Sequence, residues 1–110
     1  MLVLRTVGRR SGKTRETPTL YLSDGDRYVI VASNAAAERT PGWYYNLCAA
    51  GEAEVLVAGK PIAVSASEAE GPERERLLAR IAELYGGFTD YERAVERRLP
   101  VMVLTPRSGA

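Results

Sequence analysis

The chain has 110 residues, enough for one domain built on one core. Its 45% hydrophobic and 26% charged content is that of a soluble globular protein, and 15 Lys and Arg against 14 Asp and Glu leave a net charge of +1, which excludes the wide basic face of a general nucleic-acid binder. A single cysteine, Cys48, excludes an internal disulfide, and the absence of histidine removes the commonest general base and metal ligand, so no metal site is expected.

No run approaches the roughly 20 apolar residues of a membrane span. Met1-Leu2-Val3-Leu4 stops at Arg5, too short for the apolar core of a signal peptide. A cytoplasmic protein is the simplest expectation. The chain opens inside a strand-like run, which leaves room for a preceding segment.

Met1 to Val7, rich in Leu and Val, reads as a first strand. It runs into Gly8-Arg9-Arg10-Ser11-Gly12-Lys13-Thr14-Arg15. The two glycines permit a tight turn and let backbone N–H groups approach a ligand. Ser11 and Thr14 add short donors, and Arg9, Arg10, Lys13 and Arg15 add charge-assisted ones. The combination suits a phosphate or polycarboxylate at the mouth of a hairpin, and equally a solvated turn with a basic tip. It is neither a Walker loop nor a dinucleotide fingerprint, because it lacks their spacings and leads into a strand.

Residues 13–22 read as one second strand, in which Thr17, Thr19 and Tyr21 alternate with Pro18, Leu20 and Leu22. Pro18 places that strand at an edge or a bulge. Ser23-Asp24-Gly25-Asp26 is a turn. Residues 27–33 form a continuous apolar run, fit for a strand buried on both faces and completing an antiparallel meander. A small-residue loop follows, with Thr40 as N-cap and Pro41 at the first helical position of a short helix that Gly51 ends. On it Trp43, Leu47 and Ala50 share a face, with Tyr44 and Cys48 beside it and Asn46 close by. Cys48 reads as a buried small hydrophobe, since no base is available to activate it.

Residues 52–58 and 62–69 make a second hairpin turned at Gly59-Lys60-Pro61, with Ala53, Val55, Val57, Ile62, Val64 and Ala66 inward. A helix from Gly71-Pro72-Glu73 to about Tyr85 carries the stripe Leu77, Leu78, Ile81 and Leu84. Gly86-Gly87 breaks it before a shorter helix over 88–98 with Phe88, Tyr91 and Val95 on one side. Leu99 to Leu104 is a last strand. Six antiparallel strands with inserted helices give an α+β protein, a small closed or partly split β-barrel. Side chains fill a barrel of that size, so a ligand must sit in an outer groove or at a subunit boundary.

Taken together, the pieces resemble a known family, the deazaflavin-dependent nitroreductases of actinobacteria, also called coenzyme F-420-dependent quinone reductases. The resemblance runs to Pro106. Its marks are the basic loop followed by Pro18, then Asp24-Gly25-Asp26, Val31-Ala32-Ser33-Asn34, Pro41 with Trp43-Tyr44 and Asn46-Leu47, Tyr85, Asp90-Tyr91 and Pro100-Val101. It implies a split β-barrel related to the flavin-binding reductases, a single cofactor-binding domain over residues 1–110. It also implies an oxidoreductase in which a reduced deazaflavin, bearing a phosphate and an oligoglutamate tail, gives hydride to a quinone, nitroaromatic or activated enone. Such a tail would account for four cations on one loop of a nearly neutral chain.

By the same resemblance, Arg9, Arg10, Ser11, Lys13 and Arg15 would hold the phosphate and tail. Pro18, Ala32, Ser33 and Asn34 would line the ring, and Trp43 and Asn46 would close the pocket. Tyr85, Phe88 and Tyr91 would wall the acceptor side, with the hydroxyls of Tyr91, Tyr85 and Ser33 as catalytic proton donors. Family members often carry a basic residue where Asn34 stands, Gly-Gly where Ala35-Ala36 stand, and Tyr where Phe88 stands. Two other occupations of the barrel remain open: FMN as the cofactor, or a non-catalytic module that binds a cofactor or fatty acid. The expected partners are a small quinone-like acceptor and a second copy in a homodimer, with no nucleic acid. The expected location is the cytoplasm or a membrane periphery.

Overall fold

The computed structural model describes residues 2–32, 42–85 and 99–107. These hold β1 (Leu2–Val7), β2 (Thr14–Thr19), β3 (Leu22–Asp24), β4 (Arg27–Val31), α1 (Gly42–Ala50), β5 (Glu52–Val57), β6 (Lys60–Glu68), α2 (Gly71–Leu84) and β7 (Val101–Pro106). The helix expected over 88–98 and the helix start at Pro41 lie outside the described residues. All seven strands join one antiparallel sheet in the order β2-β1-β5-β6-β7-β4-β3.

That order corrects the reading of residues 13–22 as one strand. β2 ends at Thr19 and pairs with β1, whereas β3 begins at Leu22 and pairs with β4. The seven described strands therefore exceed the six expected by one, and two hairpins at opposite edges replace the meander. Only Leu20 and Tyr21 join those edges. Three Cα steps span at most about 11 Å, while the edges of a flat seven-stranded sheet would lie about 29 Å apart. The sheet must therefore curl until its edges meet. β2 and β3 have no register with each other, so the result is a split barrel, as expected.

Period two then divides the side chains. Leu2, Leu4, Ile30, Val55, Val64, Met102 and Leu104 fill the interior with Leu47 of α1. Val29, Val101 and Val103 point the other way and meet Leu77 and Ile81 of α2. β4 and β7 are thus buried on both faces, which is why their sequences are apolar without alternation. Leu84, assigned to the apolar stripe, lies past the covered stretch and is 56% exposed. The last strand is displaced to 101–106, with Pro106 opposite Val64. The second hairpin turns at Ala58-Gly59, both with positive φ, so Pro61 lies within β6 instead.

Asp24 is more than a turn residue. It ends β3, and its carboxylate accepts from Arg27, from Arg76 Nη1 at 3.1 Å and from Arg80 Nη1 at 2.6 Å. The last two come from α2, so one carboxylate ties the helix to the hairpin. The hydrogen bonds from Arg76 and then Arg27 hold its pKa well below the usual carboxylate range. A lowered pKa gives stability that is present above the unfolded carboxylate's value, about 4, and is lost as pH falls below it. Asp24→Asn should cost about 1–3 kcal/mol at pH 7. In urea melts the gap between wild type and variant should narrow below about pH 4; a gap that stays constant with pH would show that the carboxylate charge does not hold α2.

Candidate functional site

The β1–β2 loop closes with its own backbone. Gly8 N–H donates to the Lys13 carbonyl at 2.8 Å, and Gly12 N–H to the Gly8 carbonyl at 2.9 Å. Gly12 has φ +71°, the left-handed conformation that favours glycine. At Gly8 a Cβ would lie 2.5 Å from Ser11 Oγ, which accepts from Lys13 N–H at 3.2 Å, so a side chain there would displace that hydroxyl. The N–H groups of both glycines are used inside the loop. Among the described residues, the N–H groups of Arg10 and Ser11 at its tip have no partner.

The loop is fixed from outside by α1. Arg9 N–H and its guanidinium Nη1 both donate to Asn46 Oδ1, at 3.2 and 3.0 Å. Asn46 is a buried polar residue, and the guanidinium of Arg9 also lies 5.2 Å from the ring centre of Tyr45. Gly51, with φ +71°, stops α1 as expected, and its N–H donates to the Leu47 carbonyl. The expected face differs in detail: Asn46 and Leu47 are buried, Ala50 is exposed, and Trp43 packs half-buried against the interior cluster. Cys48 is exposed, not buried.

Several described cations outside the loop have partners. Arg5 bridges Glu16 on β2 and Glu54 on β5, Arg107 meets Glu52, and Arg74 reaches the Leu99 carbonyl. Arg27, Arg76 and Arg80 share Asp24. Arg10, Lys13 and Arg15, all exposed, have no ion-pair partner among the described residues. Among the described residues the basic loop thus concentrates cations without a carboxylate partner, Lys60 in the β5–β6 turn being a further one.

The remaining candidates spread along the barrel. Pro18 sits on edge strand β2 opposite Val3, four residues beyond Thr14, a run of about 13 Å. Ala32 is buried just past β4, its N–H donating to the Pro100 carbonyl. Tyr85 ends α2, and its hydroxyl donates to the Tyr21 carbonyl at 3.0 Å, over the seam between β2 and β3. Ser33, Asn34, Phe88 and Tyr91 lie outside the described residues. The structure therefore brings Arg9 and Asn46 into contact, and Tyr85 to the strand end beyond Pro18.

Three further features escaped the sequence reading. Tyr45 meets Arg9 only through tertiary folding. Tyr44 donates to Glu68 at the end of β6, and that carboxylate, then burial and Cys48, push the phenol above its usual range, so it stays a neutral donor. Thr6 Oγ1 is buried without a hydrogen-bond partner among the described residues. Thr6 follows Leu2 and Leu4 on the inward face of β1, two residues before the loop, so period two alone could have flagged it.

Comparison with known proteins adds the following. The model of the F420H(2)-dependent quinone reductase family matches residues 1–106. An F420H(2)-dependent quinone reductase of Mycobacterium tuberculosis is 38% identical over 109 residues, covering 96% of this chain and 73% of that one. A solved F420-H2 dependent reductase superposes with a TM-score of 0.83 at 30% identity, over 94% of this chain and 91% of that one. Another solved structure, described as a domain-swapped dimer, gives a TM-score of 0.84 at 30% identity, over 94% and 78%.

The Asn46 contact can be tested without any ligand. Asn46→Ala removes a buried acceptor shared by two donors and should lower stability by about 1–3 kcal/mol. Amide exchange at Arg9 should speed up while exchange in β5 and β6 changes only with the global loss. Unchanged protection at Arg9 would mean that α1 does not hold the loop.

Proposed function

The chain belongs to the F420H(2)-dependent quinone reductase family, and on that premise we propose how its own residues serve the reaction. It is an oxidoreductase whose cofactor is the reduced deazaflavin F-420, which sets aside FMN and the non-catalytic module. When bound, the deazaflavin supplies the hydride that reduces a quinone-like acceptor.

The observation that carries the site assignment is the unmatched charge of the basic loop. A phosphate and a carboxylate tail are polyanionic, and Arg10, Lys13 and Arg15 offer cations without carboxylate partners among the described residues. The tip N–H groups of Arg10 and Ser11 add fixed donors. The donor set thus fits the group. Arg9 is locked by Asn46, so Asn46 acts by holding the loop in shape rather than by closing over a ring. Pro18, about 13 Å along β2 from Thr14, suits the flat part of a long cofactor: it lacks an N–H and sits on an edge with no strand beyond it among the described residues. Ala32, Ser33, Asn34 and Trp43 are assigned to the same wall.

Charge building on the acceptor oxygen needs a donor. Tyr85 has its hydroxyl on the Tyr21 carbonyl and Tyr44 on Glu68, which favours Tyr91 for that role. Phe88 and Tyr85 complete the acceptor wall, and Ser33 is the alternative donor. Among the described residues no helix is long and apolar enough to cross a membrane; we place the protein in the cytoplasm and its acceptor among small quinones. We also propose that two copies pair as a homodimer, a reading supported by the domain-swapped dimer among its structural relatives.

Titration of the purified protein with reduced F-420 and a menadione-like quinone tests the whole reading. Arg15→Ala should weaken F-420 binding by about 1–3 kcal/mol, and added salt should weaken the wild type as well. Binding indifferent to both would make the loop a solvated turn. Tyr91→Phe should lower quinone turnover tenfold or more, about 1.4 kcal/mol of transition-state stabilisation, with F-420 affinity unchanged. Turnover that stays the same would hand the proton to solvent; loss of F-420 binding would make Tyr91 a ring contact.

A further inference from the structure

Tyr45 is an aromatic residue that does not serve the core. It is 44% exposed, and unlike Trp43 and Tyr44 on the same helix it does not pack against the interior cluster. Its ring nevertheless has two neighbours. One is Tyr44, edge-on with ring centres 5.2 Å apart and planes at 74°, and Tyr44 is itself tied through its hydroxyl to Glu68 at the end of β6. The other is Arg9, whose guanidinium carbon Cζ lies 5.2 Å from the Tyr45 ring centre, within the range of a cation–π contact.

Arg9 is therefore held by two successive residues of α1, and both are neutral. Asn46 Oδ1 accepts from Arg9 Nη1 at 3.0 Å and from its backbone N–H at 3.2 Å, while the Tyr45 ring flanks the guanidinium. Neither partner carries a counter-charge, and among the described residues Arg9 Nε and Nη2 have no hydrogen-bond partner. Arg9 is exposed, so an anion can reach it. Arg10, Lys13 and Arg15 are exposed too, but among the described residues no ion pair fixes their side chains.

The loop thus carries two kinds of cation, one preset and three adaptable. A mobile Lys or Arg loses side-chain freedom when it binds, whereas a side chain already fixed does not lose it again. A preset cation suits a group that occupies one position. Adaptable cations suit a chain of variable length. A single phosphate is the first kind of group and an oligoglutamate tail the second.

We propose that Tyr45 is a positioning residue: its ring, with Asn46 Oδ1, presets Arg9 as the fixed cation that receives the cofactor's phosphate, while Arg10, Lys13 and Arg15 follow the tail. This rests on the F-420 reading and divides the loop's cations within it.

The full chain is titrated with F-420 of short and of long tail, and with a deazaflavin lacking both phosphate and tail. Tyr45→Leu should weaken F-420 binding roughly threefold to fivefold, the scale of an exposed cation–π contact. The loss should be equal for both tails and absent for the truncated deazaflavin. Tyr45→Phe keeps the π face and should bind as wild type does. Wild-type affinity in Tyr45→Leu overturns the proposal. So does a loss that the truncated deazaflavin shares, that grows with tail length, or that Tyr45→Phe repeats. Proton NMR of the free protein supplies a readout without ligand: the ring current should move Arg9 side-chain resonances upfield in wild type and Tyr45→Phe, but not in Tyr45→Leu. Arg9 resonances alike in all three overturn the positioning role and leave the F-420 reading standing. A wild type that shows the ring-current shift but binds no F-420 overturns that reading, and the phosphate assignment with it.

Discussion

The two-residue link between Thr19 and Leu22 is the constraint on which the rest of the fold depends. It joins the first and last strands of a seven-stranded sheet, and a chain of that length reaches across only if the sheet has curled through almost a full turn. Curling makes one face concave, and Leu2, Leu4, Val55, Val64 and Leu104 can then converge into an interior that no flat sheet would have. The convex face is covered by α2 only over β3, β4 and β7, which concentrates its second cluster there. Tyr85 seals the closure by reaching the Tyr21 carbonyl, and Tyr21 stacks edge-on against Tyr28 with ring centres 5.6 Å apart.

Much of this was legible in the chain, and what was hidden was hidden for one reason. Alternation in residues 52–57 and 60–68 and unbroken apolarity in 28–31 and 101–104 report burial on one face or two, which is a local property of each strand. The division of residues 13–22 is not local. Thr19-Leu20-Tyr21-Leu22 has no glycine or proline and suits a strand throughout, and only the closing of the sheet decides where one pairing stops and another begins. Ala58 in place of glycine in the second turn misled for a related reason: the tight register of Val57 against Lys60 imposes a positive φ that the residue itself disfavours.

The same distinction separates the legible part of the site from the rest. Four cations between two glycines are visible as composition, and their excess over a balanced background already marks the loop. Which of them is free to meet a ligand is decided by partners far along the chain. Arg9 is claimed by Asn46 and Tyr45, from a helix more than thirty residues later, while Arg10, Lys13 and Arg15 are left without carboxylates among the described residues. Asp24 shows the converse: a residue that reads as turn-forming becomes the hub for Arg76 and Arg80 because α2 folds back over it.

The loop's own hydrogen bonds determine which of its groups the proposed anion would meet. With the glycine N–H groups closed on the Lys13 and Gly8 carbonyls, the backbone fixes the turn, and recognition passes to long, exposed side chains and two tip N–H groups. Side chains of that kind adapt to a variable tail but are screened by salt, so affinity and specificity come from different places. On the proposed reading, charge on the loop would gather the polyanion and the shaped barrel wall would decide which ring is accepted.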